Sequence, residues 1–63
     1  MFSMAERRIE AGLSQEALAH RAKVSFRTIN RYERGHVAPS EKYAKRILRA
    51  LKIPVDQWKE LRP

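Results

Sequence analysis

Arg27, Asn30, Arg31 and Arg34 are the residues whose types and spacing could do chemistry in this chain. At about 100° per residue they gather within about one third of a helix circumference. Ile29, Tyr32 and Glu33 fall on the opposite side, with Phe26 and Thr28 on the two borders. An arginine-rich exposed helical face is most often simply solvated. Asn beside Arg, however, is the pairing that reads base edges, Asn bidentate to adenine and Arg bidentate to guanine.

These side chains need a helix held outward by a neighbour, and residues 15–34 supply both. Ser14 caps a helix from Gln15 to about Ala22, with Leu18, Ala19 and Ala22 facing inward. Val24 sits in a turn, and Ser25 caps a further helix from Phe26 to Arg34, which Gly35 stops. The layout predicts a helix-turn-helix, in which one helix braces and the next enters the major groove. Ala19 marks the closest approach of the pair, where anything larger than a methyl would separate the backbones. Leu18, Ala22, Val24, Ile29 and Tyr32 supply the apolar contacts between them. The turn needs a left-handed residue, usually glycine; here it is Lys23, at a cost on the order of 1 kcal/mol. Glu33 points inward, so its carboxylate needs a partner, and Arg8 is the expected one.

The remaining elements complete an all-α fold. Ser3 and Glu6 form a capping box opening helix one, along which Met4, Ala5, Arg8 and Ile9 follow a helical spacing before Gly12 ends it. His36, Val37 and Ala38 form a loop closed by Pro39. Ser40 caps helix four, which runs to about Leu51 or Lys52, with Tyr43, Ala44, Ile47, Leu48 and Leu51 on its buried side. Pro54 opens a last short helix carrying Val55, Trp58 and Leu61, with Trp58 as a core plug between helices five and one. Five short helices in 63 residues leave no length for a sheet, linker or repeat, and predict one compact domain over 1–63.

Fourteen Lys and Arg against seven Asp and Glu leave a formal charge of +7. A field of that sign on so small a surface favours a polyanion, nucleic acid above all, although small helical proteins are also basic merely for solubility. Lys42, Lys45, Arg46, Arg49 and Lys52 line the outer side of helix four; only its N-terminal end is expected near DNA. Without cysteine there are no disulfides and no thiolate metal sites. His20 and His36 stand apart with no close carboxylate, so no metal is expected. No nucleophile, base and orienting group assemble, and no glycine-rich loop cradles a nucleotide. The expectation is a non-enzyme without cofactor or small-molecule ligand. No apolar run reaches the ~20 residues of a membrane span, and no signal peptide is visible.

Arg8, Gly12-Leu13-Ser14-Gln15-Glu16, Leu18-Ala19, Val24-Ser25, Thr28-Ile29, Arg31, Glu33, Gly35 and Pro39-Ser40 together resemble the Cro and lambda-type repressor family, also called the Xre family. The stretch from Leu51 to Trp58 fits the family's closing helix. The resemblance implies a lambda-repressor-like domain whose docking geometry follows that of the phage repressors. It implies base contacts from Phe26, Arg27 and Arg31, to which the Asn–Arg pairing on the helical face adds Asn30. It implies phosphate contacts from Ser14, Gln15, Ser25, Thr28, Arg34, His36 and Lys42, with Gln15 as the clamp at a helix N-terminus. Arg8 and Glu33 match the family's internal ion pair. Phe26 replaces a polar residue of some relatives, so it either meets a thymine methyl or closes the core edge. Most family regulators also carry a second domain or a dimerising tail, whereas this sequence stops at Pro63.

The resulting expectation is sequence-specific binding of double-stranded DNA through the major groove, as a cytoplasmic regulator encoded by a bacterium or phage, with a weak homodimer on adjacent half-sites. The alternative is a protein-interaction module, antitoxin-like or a dimerising fragment, whose arginine face meets an acidic protein. An engineered miniprotein that binds a chosen duplex fits the same residues.

Overall fold

Four serines set the helix starts. The computed structural model describes residues 2–62, and in it Ser3, Ser14, Ser25 and Ser40 each accept a hydrogen bond on Oγ from the amide three residues on, Glu6, Ala17, Thr28 and Tyr43, at 3.0–3.3 Å. Each bond satisfies one of the amides that a helix start leaves without a partner. The helices that follow are α1 (Met4–Glu10), α2 (Gln15–Ala22), α3 (Phe26–Glu33) and α4 (Glu41–Ala50). Met1 and Pro63, including the expected chain end at Pro63, lie outside the described residues.

The helix ends are as uniform as the starts. A left-handed residue follows each one: Gly12, Lys23, Gly35 and Lys52, with φ of 74°, 59°, 79° and 60°. Their neighbours return amides to the last carbonyls, as in Leu13 N to Arg8 O at 3.1 Å and Val24 N to Ala19 O at 3.0 Å. Lys23 takes the turn that glycine would take more easily; Lys52 does the same after α4, which the sequence pattern had not indicated. Arg34 is the cap of α3 rather than its last turn, and Leu51 the cap of α4.

Met4, Leu18, Ile29, Ile47 and Leu48 are fully buried at the centre, one or two from each helix. Ala19, Ala22, Tyr32, Ala44, Leu51, Ile53 and Leu61 close the core around them. α2 packs on both α3 and α4, so it is the brace between them. After Pro54 the chain forms a 3-10 helix (Val55–Glu60) rather than an α-helix, and it packs on α4 with Trp58 partly buried against the core. The fold is all-α, with one addition to the expected plan. Two-residue strands β1 (Phe2–Ser3) and β2 (Leu61–Arg62) pair in parallel, Phe2 opposite Leu61 and Ser3 opposite Arg62. That pairing ties the two ends of the described chain together.

Two apolar positions differ from the helical-spacing expectation. Tyr43, placed on the buried side of α4, is 38% exposed, and the Arg46 guanidinium lies 5.3 Å from its ring centroid. The ring covers the surface edge of the core and uses its face for a cation. Ile9 is 65% exposed, because α1 is only seven residues long and buries Met4 alone.

Candidate nucleic-acid interface

α3 buries one side and exposes its arginines. Asn30 and Glu33, expected on opposite sides, are both half-buried and adjoin on one border, since positions three apart on a helix are neighbours. Ile29 and Tyr32 are buried in the core, while Arg27, Arg31 and Arg34 are exposed. Phe26, at the first position of the helix, is 48% exposed and so does not close the core. Burial pushes the Tyr32 phenol above its ordinary value of 10.0, and nearby Tyr43 adds to this, while the Arg31 charge acts in the opposite sense. Tyr32 is therefore held neutral, as a packed ring, beneath the arginine edge.

Asn30 and Gln15 are not free amides. Arg8 donates from Nε to Glu33 Oε2 at 2.8 Å and from Nη2 to Oε1 at 3.2 Å, a two-pronged pairing. Its Nη1 donates to the Leu13 carbonyl at 2.8 Å, which fastens the α1–α2 connection to the same group. Gln15 Nε2 donates to Glu33 Oε1 at 3.0 Å, and Asn30 Nδ2 donates to Gln15 Oε1 at 3.2 Å. One relay thus runs Leu13, Arg8, Glu33, Gln15, Asn30 across α1, α2 and α3. The Glu33 side chain is only 6% exposed and that of Arg8 15%. No buried side-chain polar atom among the described residues lacks a partner.

Each link follows from where the chain puts it. Gln15 is the first residue of α2, immediately after the capping serine, so its side chain reaches back over α3. Asn30 and Glu33 are three apart on α3 and share a face. The amide of Gln15 bridges them, leaving one Nε2 hydrogen free for an outside acceptor. Asn30 likewise retains its carbonyl oxygen and its second amide hydrogen. These are the two groups a bidentate contact with a base edge requires.

The residues for which phosphate contacts are expected fall in three places. Ser14 and Ser25 are exposed and accept the caps of α2 and α3 on Oγ, which leaves the donor capacity of the hydroxyls for an outside acceptor. Thr28 Oγ1 lies 2.7 Å from Ser25 Oγ, so one hydroxyl pair sits at the start of α3. Arg34 and His36 are exposed around Gly35, and Lys42 is exposed in the first turn of α4. No side-chain hydrogen bond holds Arg27, Arg31, Arg34 or Lys42 among the described residues. The outward edge of α3 and the segment after it are therefore cationic and unpaired.

The amide relay had no signal in the sequence pattern. Gln15 and Asn30 are 15 positions apart and Gln15 and Glu33 are 18 apart, and no periodicity connects them. What the pattern offered was the position of Gln15 beside the cap and the need of Glu33 for a partner. Among the described residues, no three His, Asp or Glu side chains gather as a metal site, and no helix is long and apolar enough to cross a membrane.

A bracing helix, a left-handed turn and an outward cationic helix define a helix-turn-helix unit. The chain belongs to the helix-turn-helix family, whose model matches residues 4–58. It is also similar to a protein of Rhodospirillum rubrum described as an uncharacterized transcriptional regulator in the ATPase CF(0) region. The two are 43% identical over 53 residues, which is 84% of this chain and 49% of the relative. The chain thus spans about half the length of that relative. No solved structure matches it.

Proposed function

We propose that this chain is a DNA-binding domain over 1–63 that reads double-stranded DNA through the major groove, with α3 as the inserted element, in the service of transcription regulation. The observation that carries the reading is the outward edge of α3: unpaired Arg27 and Arg31 flank Asn30, whose amide is fixed in place by Gln15. Membership of the helix-turn-helix family and the similarity to a transcriptional regulator support it.

Arg27, Asn30 and Arg31 supply the base reading, and Phe26 adds an apolar contact suited to a thymine methyl. Arg34, Lys42, His36, Thr28, Ser14, Ser25 and the remaining Gln15 hydrogen set the register on the phosphates. The backbone spans 24 Å in its longest dimension, shorter than the ~34 Å of one duplex turn. One copy therefore covers a half-site, and two copies on adjacent half-sites give the tighter complex.

A selection from a randomised duplex pool tests the proposal. The chain should enrich a short motif, and Arg31→Ala should relax the preference at one or two positions, by ~1–3 kcal/mol of discrimination each. An unchanged motif with Arg31→Ala removes that residue from the readout. Failure to bind any duplex at low salt rejects the proposal as a whole and leaves a protein partner as the target of the arginine edge.

A further inference from the structure

On another part of the surface, α2 and α4 form a cleft of about 340 Å³ lined by Arg21, Ala22, Lys23, Arg46 and Arg49. Four of these five residues are cations and none is acidic. The chain has seven carboxylate side chains, yet the cleft receives none of them. Arg21, Lys23 and Arg49 make no side-chain hydrogen bond or ion pair among the described residues. Arg46 is the ordered member: its Nη1 is 3.5 Å from the Lys23 carbonyl oxygen, and its guanidinium stands over the Tyr43 ring.

Cations at helix ends have an ordinary explanation, since a helix C-terminus carries partial negative charge. Arg21 lies in the last turn of α2 and Arg49 in the last turn of α4, so one cation at each end is accounted for. The convergence is not. Arg46 stands a full turn before the end of α4 yet reaches across to the end of α2. Lys23 lines the same cleft from its left-handed position after α2. Four like charges around one concavity repel one another unless an anion joins them.

The lining also restricts which anion fits. Ala22 is the one apolar residue of the cleft, which gives no aromatic or aliphatic anchor of the kind that dominates protein interfaces. It gives no ring on which a base could stack. Three guanidinium forks, those of Arg21 and Arg49 without internal partners, suit the paired oxygens of phosphoryl groups, with Lys23 as a further point charge. The volume is at the small end for a ligand site. We infer that this cleft binds two linked phosphoryl groups, as in inorganic pyrophosphate or the diphosphate end of a nucleotide. The site shares no residue with α3, with the loop after it or with the first turn of α4, so the inference stands independently of the DNA-binding proposal.

The test is a titration of the full chain with pyrophosphate at constant ionic strength, followed by amide chemical shifts. Saturable shifts are expected at residues 21–24 and 46–49. Arg21→Ala/Arg49→Ala, which removes two exposed side chains without internal partners, should weaken binding at least tenfold. The charge-matched Arg31→Ala/Arg34→Ala should change it less than twofold. ADP binding at the same residues with similar affinity assigns the diphosphate to a nucleotide, and much weaker ADP binding assigns it to the inorganic ion. Equal loss in both double variants overturns the inference, because it means diffuse attraction to a basic protein. So do shifts centred on α3, orthophosphate or sulfate binding as tightly as pyrophosphate, or no saturation.

Discussion

Arg8→Met tests whether the relay is what seats α1 and presents Asn30. The substitution removes three donors at once: two to Glu33 and one to the Leu13 carbonyl. Glu33, 6% exposed, keeps only the amide of Gln15. Removing one partner of a fully buried ion pair costs about 3–5 kcal/mol; this pair is partly buried and Glu33 keeps the Gln15 bond, which brings the loss to ~2–3 kcal/mol. A 63-residue domain has roughly 3–9 kcal/mol of stability in total, so the single variant should be visibly unfolded at moderate urea. Arg8→Met/Glu33→Leu removes the stranded carboxylate along with its partner. It should recover part of the loss, ending within ~1–2 kcal/mol of the parent, with the Leu13 carbonyl still lacking its donor. Urea denaturation followed by circular dichroism measures both. The double variant should nonetheless show relaxed base preference in the duplex selection, because Gln15 no longer has Glu33 to hold it. A single variant losing less than ~1 kcal/mol would refute the structural argument. A stable double variant with an unaltered motif would refute the link from Glu33 to Asn30.

Three further outcomes are expected. Lys52→Gly should raise stability by ~0.5–1 kcal/mol in the same denaturation assay, since it relieves a left-handed lysine at φ 60° that has no part in the α3 surface; a loss would mean the lysine stem contributes packing. The raised Tyr32 phenol means that the fold favours its neutral form, so this contribution is intact below pH 10, the unfolded value, and is lost as pH rises through the folded one. Alkaline denaturation should therefore steepen above pH 10, and Tyr32→Phe should remove that added slope. Arg34→Ala should make DNA affinity less salt-dependent, lowering the log–log slope by ~1 while leaving the selected motif unchanged, as expected of a phosphate contact.

The helices were legible because their boundaries are local. A serine three residues before an unpaired amide, or a glycine after the last turn, acts within a few positions of the chain, and the Ser14 and Ser25 caps and the Gly12 and Gly35 stops needed nothing more. The left-handed Lys23 was legible for the same reason, from the turn between two periodic segments. Tyr43 was not. Helical spacing places it with Ala44 and Ile47, but an aromatic ring at the rim of that stripe can lie along the surface beneath an arginine. The pairing of Phe2–Ser3 with Leu61–Arg62 was hidden as well, since it joins the two ends of the chain and each strand is only two residues long.

The candidate site divides along the same line. Which residues of α3 face outward follows from a rotation of about 100° per residue, so the exposed arginines were fixed by arithmetic. What each amide does there depends on partners brought close only by folding. Gln15 illustrates the difference. By the resemblance to the Xre family, its side chain belongs to the phosphate backbone. In the folded chain, one hydrogen and the oxygen of that amide are already engaged, by Glu33 and Asn30. A phosphate held by the remaining hydrogen would then be joined to Asn30 through a single side chain. Contact with the backbone and contact with a base would thus be geometrically coupled, so the register set by one constrains the other. Gln15→Ala should accordingly lower affinity and blur the motif together, whereas Arg34→Ala should affect affinity alone.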